Sequence, residues 1–275
     1  MSTLMPEVIA ETNLSYAWGR AFLRVMQGPS HDLTPLTMSI SGFADGRPAE
    51  DLAIREALDL SLDAHAKCCT TAVTAATIFP GRQWWKSDTA SREKMYDWFL
   101  NKMRPRLRCR DSRNQYGTYF ERMIDFHGTK RRGKKEEVVA VNQLETVIRD
   151  WTRPRKHHKR PRHSALQLAC LDPVKDQTGQ SVRGFPCLQQ VSLAYDNQDG
   201  LALSAFYPTQ YIYDRAYGNY LGLCQLGRFI ASAMGLNFVR FNCFIGHPEL
   251  GSTTKAALRD LAKTVEAAMS NSPEE

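Results

Sequence analysis

Cys187 is the residue of this sequence that is best placed to do covalent chemistry. It follows a Gly-Phe-Pro tripeptide and is followed by a run, residues 189–195, in which polar and apolar residues alternate. Residues 196–200 favour a turn into a second apolar run, which predicts a β-hairpin with a thiol at its mouth. Nearby cations lower the pKa of a reactive thiol, and Arg183 is one candidate. The alternative interpretation is a small buried residue at the head of a strand.

A long buried helix is predicted directly after this hairpin. From Ala216 onward the spacing of the apolar residues changes from two to about 3.6, and Gly235 is suited to end the helix. Asn219 therefore lies in the first turns of this helix. Its amide can donate and accept hydrogen bonds simultaneously, as recognition of a polar ring requires, although Gly218 and Asn219 would also suit a simple turn into a helix.

The order of these segments resembles the thymidylate synthase superfamily, which includes pyrimidine hydroxymethylases. The shared features are a Pro-Cys cysteine, a hairpin, and a Gly-Asn pair at the head of an apolar helix. Upstream, a Tyr-Gly pair at residues 116–117, an Asn-Gln-Leu segment at 142–144 and a basic loop leading into residues 164–169 follow the same family order. The similarity covers residues 116–247, and no single motif in it is specific.

The resemblance implies roles for four of the residues. In this family the Pro-Cys cysteine, here Cys187, adds covalently to C6 of a pyrimidine ring, and the asparagine, here Asn219, reads the base. Arginines before the strand, here Arg160 and Arg162, hold phosphate in the site of the partner subunit. The resemblance therefore implies a homodimer with an α+β, thymidylate synthase-like fold, in which helices pack on a mixed sheet.

Three further residues are candidates for the same site. His247 would correspond to the His-x-Tyr site of the family and can exchange a proton near neutral pH, although a single histidine between glycine and proline is also typical of a loop. Tyr207 and Tyr116 could each contact a substrate or line the edge of the core. Nothing in the sequence separates these alternatives.

The chain also departs from the family pattern. Leu188 stands where the synthases have histidine, and residues 207–210 read Tyr-Pro-Thr-Gln where the synthases have a Gln-Arg-Ser phosphate motif. The early helix predicted at residues 51–77 has no clear equivalent of the catalytic glutamate. Because only a short segment follows His247, we expect the folate-closing tail to be absent. A reduced folate is therefore a doubtful cofactor, and the nucleotide or the carbon donor is expected to differ.

The charge and cysteine content of the sequence indicate which partners the protein could bind and in which compartment it would lie. The 36 lysines and arginines exceed the 29 acidic residues, which gives a net charge of +7, and much of the excess lies at residues 130–135 and 152–163. Such clusters attract the phosphates of nucleotides or nucleic acids, or are simply solvated loops. Seven irregularly spaced cysteines indicate reduced thiols and no structural metal. With no apolar run long enough to span a membrane and no signal peptide, we predict a cytoplasmic protein.

The predicted elements form one domain over residues 1–275, with a helical part at 1–115 and the family-like core at 116–247. Strands concentrated in the second half favour an α+β class over a regular βαβ repeat. Besides the hairpin and the Asn219 helix, helices are predicted at residues 1–30, 48–77, 92–103, 116–126, 141–151 and 253–269, and strands at 36–40, 165–171 and 238–245.

Two functional hypotheses follow. The first is a transferase of the methyl or hydroxymethyl type that acts at C5 of a pyrimidine nucleotide with Cys187 as its nucleophile. The second is a noncatalytic member of the same fold that senses a nucleotide or binds nucleic acid through its basic clusters. An unrelated α+β scaffold is a third possibility, because a fold alone does not establish an activity.

Overall fold

The computed structural model describes residues 5–28, 33–65, 68–86, 91–110, 112–132, 135–154, 160–177, 179 and 186–270. Ten strands lie in these ranges. They are β1 (Met5–Glu11), β2 (Leu33–Ile40), β3 (Phe43–Ala44), β4 (Arg47–Pro48), β5 (Phe126–Arg132), β6 (Lys135–Val141), β7 (Gln167–Ala169), β8 (Gln190–Tyr195), β9 (Gly200–Tyr211) and β10 (Asn237–Glu249).

Helices connect these strands and pack on the main sheet. The α-helices are α1 (Leu14–Gln27), α2 (Leu52–Asp63), α3 (Thr71–Ile78), α4 (Gly81–Trp85), α5 (Arg92–Trp98), α6 (Arg104–Arg110), α7 (Tyr119–Ile124), α8 (Gln143–Thr152), α9 (Pro173–Asp176), α10 (Tyr217–Met234) and α11 (Arg259–Ser270). Two π-helical turns, Phe99–Met103 and Ile212–Ala216, continue directly into α6 and α10. No helix of the described ranges is both long and apolar enough to cross a membrane.

Six strands form one mixed sheet in the spatial order β1, β2, β10, β9, β8, β7. The β1–β2 and β9–β10 pairs are parallel, and the other neighbours are antiparallel. The chain crosses from β9 to β10 through α10, so β9 and β10 end at the same edge of the sheet, where Tyr211 is paired with Glu249. The mixed sheet with packed helices confirms the predicted α+β class.

The helices cover one face of the sheet around a continuous apolar core. Trp18 of α1 is fully buried, stacks on Phe22 and donates from its indole nitrogen to the Ile212 carbonyl oxygen at 2.8 Å. Helix α3 packs against α10 at Gly218 and Gly222, where an added methyl group would come within 2.5 and 2.7 Å of α3 atoms. Small residues on α10 therefore allow α3 to lie close to the start of α10.

The opposite face of the sheet is left open by the described residues. Phe206 of β9 and Phe244 of β10 stack there with 5.6 Å between their ring centroids, although 38% and 42% of their surfaces are exposed. Beside them the Ser39 hydroxyl donates to Asn242, whose amide nitrogen donates to Ser204. We call this surface the open sheet face; it combines paired aromatic rings with satisfied polar groups.

The predicted helix over residues 1–30 is wrong for its first part. Residues 5–11 form the edge strand β1, and the helix begins only after Asn13, whose side chain accepts from the Ser15 amide at 2.8 Å. Strand β1 pairs with β2 along one side only, and Val8 is 75% exposed. An edge strand with one weakly apolar face gave too little alternation to be recognised beside the strong period of α1.

The single helix predicted over residues 48–77 is also wrong. The chain forms α2 and α3 instead, and Asp59 of α2 accepts hydrogen bonds from the Thr71 amide (2.6 Å) and hydroxyl (2.9 Å) at the start of α3. Leu52 and Leu60 of α2 are exposed although they are large and apolar. The buried residues of α2 are Ile54, Leu58 and Leu62.

The elements from residue 92 onward follow the predictions more closely. The hairpin is β8–β9, the buried helix is α10, and Gly235 ends it in the left-handed region with φ of 70°. The strand predicted at residues 238–245 is β10, in which a register shift between Phe238 and Arg240 turns Phe238 inward and leaves Val239 exposed. The hairpin of β5 and β6, which contains the first basic cluster, was not predicted.

Candidate functional site

Cys187 lies at the edge of the sheet where β9 and β10 end. It stands just before β8, and the Gln189 amide donates to the Phe206 carbonyl oxygen at 3.0 Å, which fixes this segment beside the last third of β9. The next residue, Leu188, is fully buried, whereas Cys187 is half-buried. The thiol is therefore held by a core residue but remains accessible, as a nucleophile must be.

Opposing effects act on the pKa of Cys187. Burial raises it, and the negative charge of Glu249 raises it further. A hydrogen bond from the Tyr119 hydroxyl and the positive charge of Arg215 act in the opposite direction. Burial prevails, so the resting form is the neutral thiol, but two groups are in position to stabilise the thiolate when it forms.

Tyr119 is the first residue of α7, and its hydroxyl is the one that lies beside the Cys187 thiol. Its phenol oxygen accepts from the backbone amides of Leu188 and Cys187, while burial raises the pKa of the hydroxyl. Thr118 caps the helix by accepting from the Glu121 amide at 3.3 Å, which fixes where α7 begins. The Tyr119 hydroxyl therefore remains protonated and can donate to the Cys187 sulfur.

Arg215 supplies a positive charge next to two thiols. It lies in the π-helical turn Ile212–Ala216 and is partly buried, and its guanidinium makes no ion pair or hydrogen bond with the described residues. Its charge acts to lower the pKa of both Cys187 and Cys68. A partly buried guanidinium without a carboxylate partner is a ready site for a phosphate or another anion.

Buried polar groups without a protein partner lie on the same elements. Asn219, one turn beyond Arg215, is 5% exposed, and no hydrogen bond joins its side chain to the described residues. Gln210 accepts from the Tyr220 hydroxyl at 2.8 Å, but its buried Nε2 has no acceptor, and neither Oδ1 of Asp214 nor the Tyr207 hydroxyl has a described partner. Such groups are rare in proteins and point to recognition of a polar molecule.

Helix α3 faces this region without a carboxylate. Its residues carry only apolar and threonine side chains, and Thr74 lies against Gly218 with a buried hydroxyl that has no described partner. Two carboxylates act on the thiols of this region, since the charge of Asp214 raises the pKa of Cys68 and that of Glu249 raises the pKa of Cys187. Asp214 accepts from the Ser252 amide at 3.0 Å, and Glu249 is paired with Tyr211, whose pKa it raises.

His247 lies close to the site but not at the thiol. It is paired with Thr209 in the β9–β10 ladder, and its ring nitrogen is 3.8 Å from a carboxylate oxygen of Glu249. His247 thus lies beside the carboxylate whose charge raises the pKa of Cys187. Tyr207 lies deeper, fully buried, and interacts electrostatically with Tyr119.

Arg160 and Arg162 lie far from the thiol of the same chain. Arg160 donates to the carbonyl oxygen of Asp196 at 3.1 Å and to the carboxylate of Asp199 at 2.8 Å, at the turn that precedes β9. Gln189 lies beside Phe206, seven residues along β9 from Asp199, so Cys187 is more than about 20 Å from that turn at the usual rise per residue. Arg162 is exposed.

Tyr116 also lies outside the Cys187 site. It is exposed, and its carbonyl oxygen accepts from the Arg122 guanidinium at 2.7 Å. Arg122 is buried and forms a two-pronged ion pair with Asp176 at 2.6 and 2.9 Å. Tyr116 and Arg122 line a separate cleft of about 310 Å³ together with Lys175. The Tyr-Gly segment therefore positions Arg122, and Tyr119 reaches the thiol.

Several features of the site were not predicted, and one prediction falls outside the structure. Tyr119, Arg215, Gln210 and Glu249 were missed as site residues because nothing in their local sequence marks them. Only the strand pairing and the start of α7 bring them to Cys187. Arg183, the predicted cation for the thiol, lies outside the described residues, as do residues 133–134 and 155–159 of the basic clusters.

No protein-family model matches the chain, and no curated protein matches it either. The resemblance to the thymidylate synthase superfamily therefore depends on the residues and order of segments named above.

Proposed function

We propose that this protein is a thymidylate synthase-like enzyme that modifies C5 of a pyrimidine nucleotide, with Cys187 as its covalent nucleophile. One observation carries the proposal: an accessible thiol lies beside the Tyr119 hydroxyl and the Arg215 guanidinium, which has no ion-pair partner among the described residues, at the end of two parallel strands. Ligands of sheets with parallel strands commonly bind outside the carboxyl ends of those strands.

The chemistry assigned to Cys187 is reversible addition to the pyrimidine ring. The thiolate sulfur forms a bond to C6, and the electron pair of the C5–C6 double bond moves towards C5 and the adjacent carbonyl oxygen. C5 then takes a proton or a carbon electrophile, and loss of the C5 proton with expulsion of the thiolate restores the ring. Tyr119 and Arg215 favour the thiolate that starts the cycle.

The remaining groups account for substrate recognition. Arg215 binds the phosphate as a charged fork, and the buried amides of Asn219 and Gln210 recognise the polar edge of the base. Arg160 and Arg162 can contribute only to the site of a partner subunit, since they lie at the far end of the sheet. The open sheet face is the surface through which two copies would associate.

The carbon donor is left unassigned by these residues. A reduced folate would supply a one-carbon unit at the oxidation level of formaldehyde, but α3 offers no carboxylate to assist it. No step is therefore assigned to a folate. Addition of the thiol and exchange of the C5 proton need no carbon donor. They are therefore the steps that can be tested with the protein and a nucleotide alone.

Hydrogen exchange at C5 tests the proposal. The protein is incubated in deuterated water with uridine and cytidine nucleotides, in ribo and deoxy forms, and deuterium in each nucleotide is followed by mass spectrometry. We expect exchange into one nucleotide with the unaltered protein and none with Cys187→Ser. Arg215→Ala should weaken binding of that nucleotide at least about tenfold but leave binding of the matching nucleoside unchanged.

A second candidate function is noncatalytic nucleotide sensing. The raised pKa of Cys187 and the absence of a carboxylate from α3 favour it, because both slow catalysis without impairing binding. Calorimetric binding of a nucleotide with equal affinity to the unaltered protein and Cys187→Ser, without any C5 exchange in the presence of one-carbon donors, would support the sensor. Failure to bind any pyrimidine nucleotide would contradict both functions.

A further inference from the structure

An exposed tryptophan lies at the end of α4. Trp85 is the last residue of this short helix, and 40% of its surface is exposed. Its neighbour Trp84 packs edge-on against Phe229 of α10, with 4.8 Å between the ring centroids. Phe79, which is fully buried, lies edge-on to Trp85 and holds its ring from the side of the core. A large aromatic ring that is fixed by the core and still exposed is typical of a binding surface.

Arg228 of α10 lies over the ring of Trp85. The central carbon of its guanidinium is 4.9 Å from the ring centroid, within the range of a cation–π interaction. Gly46, in the turn between β3 and β4, covers the stem of Arg228, because a methyl group added to Gly46 would lie 2.8 Å from the Arg228 Cγ atom. The aromatic ring and the turn therefore hold this guanidinium from two sides.

A second arginine lies beside Arg228. Arg47 follows Gly46 directly, at the start of β4, and is exposed. Burial lowers the pKa of Arg228, the charge of Arg47 lowers it further, and the charge of Asp45 opposes both effects. No ion pair or hydrogen bond joins either guanidinium to the described residues. Two neighbouring guanidiniums without a carboxylate partner attract an anion.

Arg160 provides a contrast within the same chain. It also lies over aromatic rings, at 5.1 Å from the centroid of Trp151 and 5.4 Å from that of Tyr195. Its guanidinium, however, donates to the carboxylate of Asp199 at 2.8 Å, so its charge is balanced by the protein. Arg228 has similar aromatic support but no ion-pair partner among the described residues, which leaves its guanidinium available to a ligand.

We propose that Arg228, Arg47 and the ring of Trp85 form a second nucleotide site, in which the guanidiniums bind the phosphate and the base lies against the exposed part of the ring. A guanidinium matches the geometry of a phosphate, and the flat face of any base can stack on an aromatic side chain. One ring beside one pair of arginines suits a single phosphate and base, whereas a nucleic-acid strand needs a succession of rings and cations. No group of the site reads the edge of a base, so purine and pyrimidine nucleotides should both bind.

The second nucleotide site is separate from the Cys187 site. Arg228 lies nine residues beyond Asn219 along α10, which is about 13 Å at the usual rise of a helix. The Cys187 site is at the start of this helix, whereas Arg228 lies towards its end. Binding at Arg228 therefore needs neither Cys187 nor Arg215, and it goes beyond the function proposed above.

Calorimetric titration with adenosine monophosphate at low salt tests the second site, because a purine is not the ligand proposed for Cys187. We expect the double variant Arg47→Gln and Arg228→Gln to weaken binding at least about tenfold, since both charged contacts to the phosphate are lost. The matched control, Arg149→Gln with Arg259→Gln, removes two exposed cations of α8 and α11 and should bind as the unaltered protein does. Trp85→Ala should weaken binding of adenosine monophosphate about fivefold or more and leave that of inorganic phosphate unchanged.

Two further variants separate this proposal from its alternatives. Arg228→Lys keeps the charge, so tighter binding than in Arg228→Gln would show that the loss of charge, and not a loss of fold, weakens binding. Arg215→Ala should bind adenosine monophosphate normally, whatever the outcome of the experiments on pyrimidine nucleotides.

Four outcomes would overturn the second nucleotide site. They are no binding of adenosine monophosphate, equally tight binding of adenosine without its phosphate, equal losses in the two double variants, and an affinity for single-stranded oligonucleotides that increases with strand length. The last outcome would indicate a surface that binds a nucleic-acid strand in place of a site for one nucleotide.

Discussion

At the scale of single residues, the reactivity of the site depends on the pKa of Cys187, which burial raises and two neighbouring groups lower. Burial raises the pKa of Cys187, and the Tyr119 hydroxyl and Arg215 only partly compensate. The thiol is therefore mostly neutral at pH 7, and the thiolate fraction grows as the pH rises towards its raised pKa. Any reaction that starts from the thiolate must accelerate over that same range.

Alkylation of Cys187 by iodoacetamide reports this balance directly. An unstructured cysteine peptide reaches half of its maximal rate near pH 8.5, and we expect Cys187 to reach half of its own maximum at a higher pH. Tyr119→Phe removes a hydrogen bond to the thiolate, so the pKa of Cys187 should rise further and the rate at pH 8 should fall about threefold to tenfold. The rate is measured on the Cys187 peptide by mass spectrometry, because other thiols also react.

The result has a clear contrary outcome and a nearby control. Tyr116→Phe alters the exposed tyrosine of the other cleft and should leave the Cys187 rate unchanged. If Tyr116→Phe slowed the reaction as much as Tyr119→Phe does, the hydroxyl of Tyr119 would not be the group that stabilises the thiolate.

The sequence could identify Cys187 and Asn219, because each stands beside a strong local signal, a proline before a hairpin and the start of an apolar helix. It could not identify Tyr119 or Arg215. Both lie in short helical turns that share no pattern with the hairpin, and they reach the thiol only through the packing of α7 and the entry into α10. Local sequence carries propensity, whereas these contacts are long-range.

At the scale of elements, the main error of sequence-based prediction was a single helix where the structure has two, α2 and α3. Alanines and leucines give helix propensity to most of residues 51–77, and no proline marks a break. What starts α3 is a long-range cap: Asp59, on α2, accepts from both the amide and the hydroxyl of Thr71. A periodicity search cannot detect a cap supplied from another helix.

Asp59→Ala tests the importance of this cap. The change leaves the buried Thr71 amide without its acceptor, and we expect the free energy of unfolding in urea to fall by about 1 to 2 kcal/mol. Asp63→Ala, at an exposed position of the same helix, should change it by less than about 0.5 kcal/mol. Equal losses in the two variants would mean that Asp59 acts through general charge and not through the cap.

At the scale of the whole molecule, the sheet has one covered face and one open face. The alternation predicted for residues 189–195 is seen in β8, where Val191 and Leu193 are buried, and Leu201 and Leu203 of β9 are buried on the same face. The residues between them are polar or small apart from Phe206, which is typical of a solvated strand. The ring of Phe206 stacks on Phe244 of the neighbouring strand, and the sequence does not reveal this pairing.

The stacked phenylalanines make the association of two copies testable. If the open sheet face joins two chains, Phe206→Glu places an unpaired charge in an apolar contact, and sedimentation equilibrium should show a shift from dimer to monomer with at least about a hundredfold weaker association. Val174→Glu is the matched control, because Val174 is 92% exposed on α9 and outside the sheet. A dimer that survives Phe206→Glu, or an unaltered protein that is monomeric at high concentration, would contradict this interface.

Loss of association would also remove any contribution of Arg160 and Arg162 to a partner's phosphate site, so nucleotide affinity should fall together with the dimer.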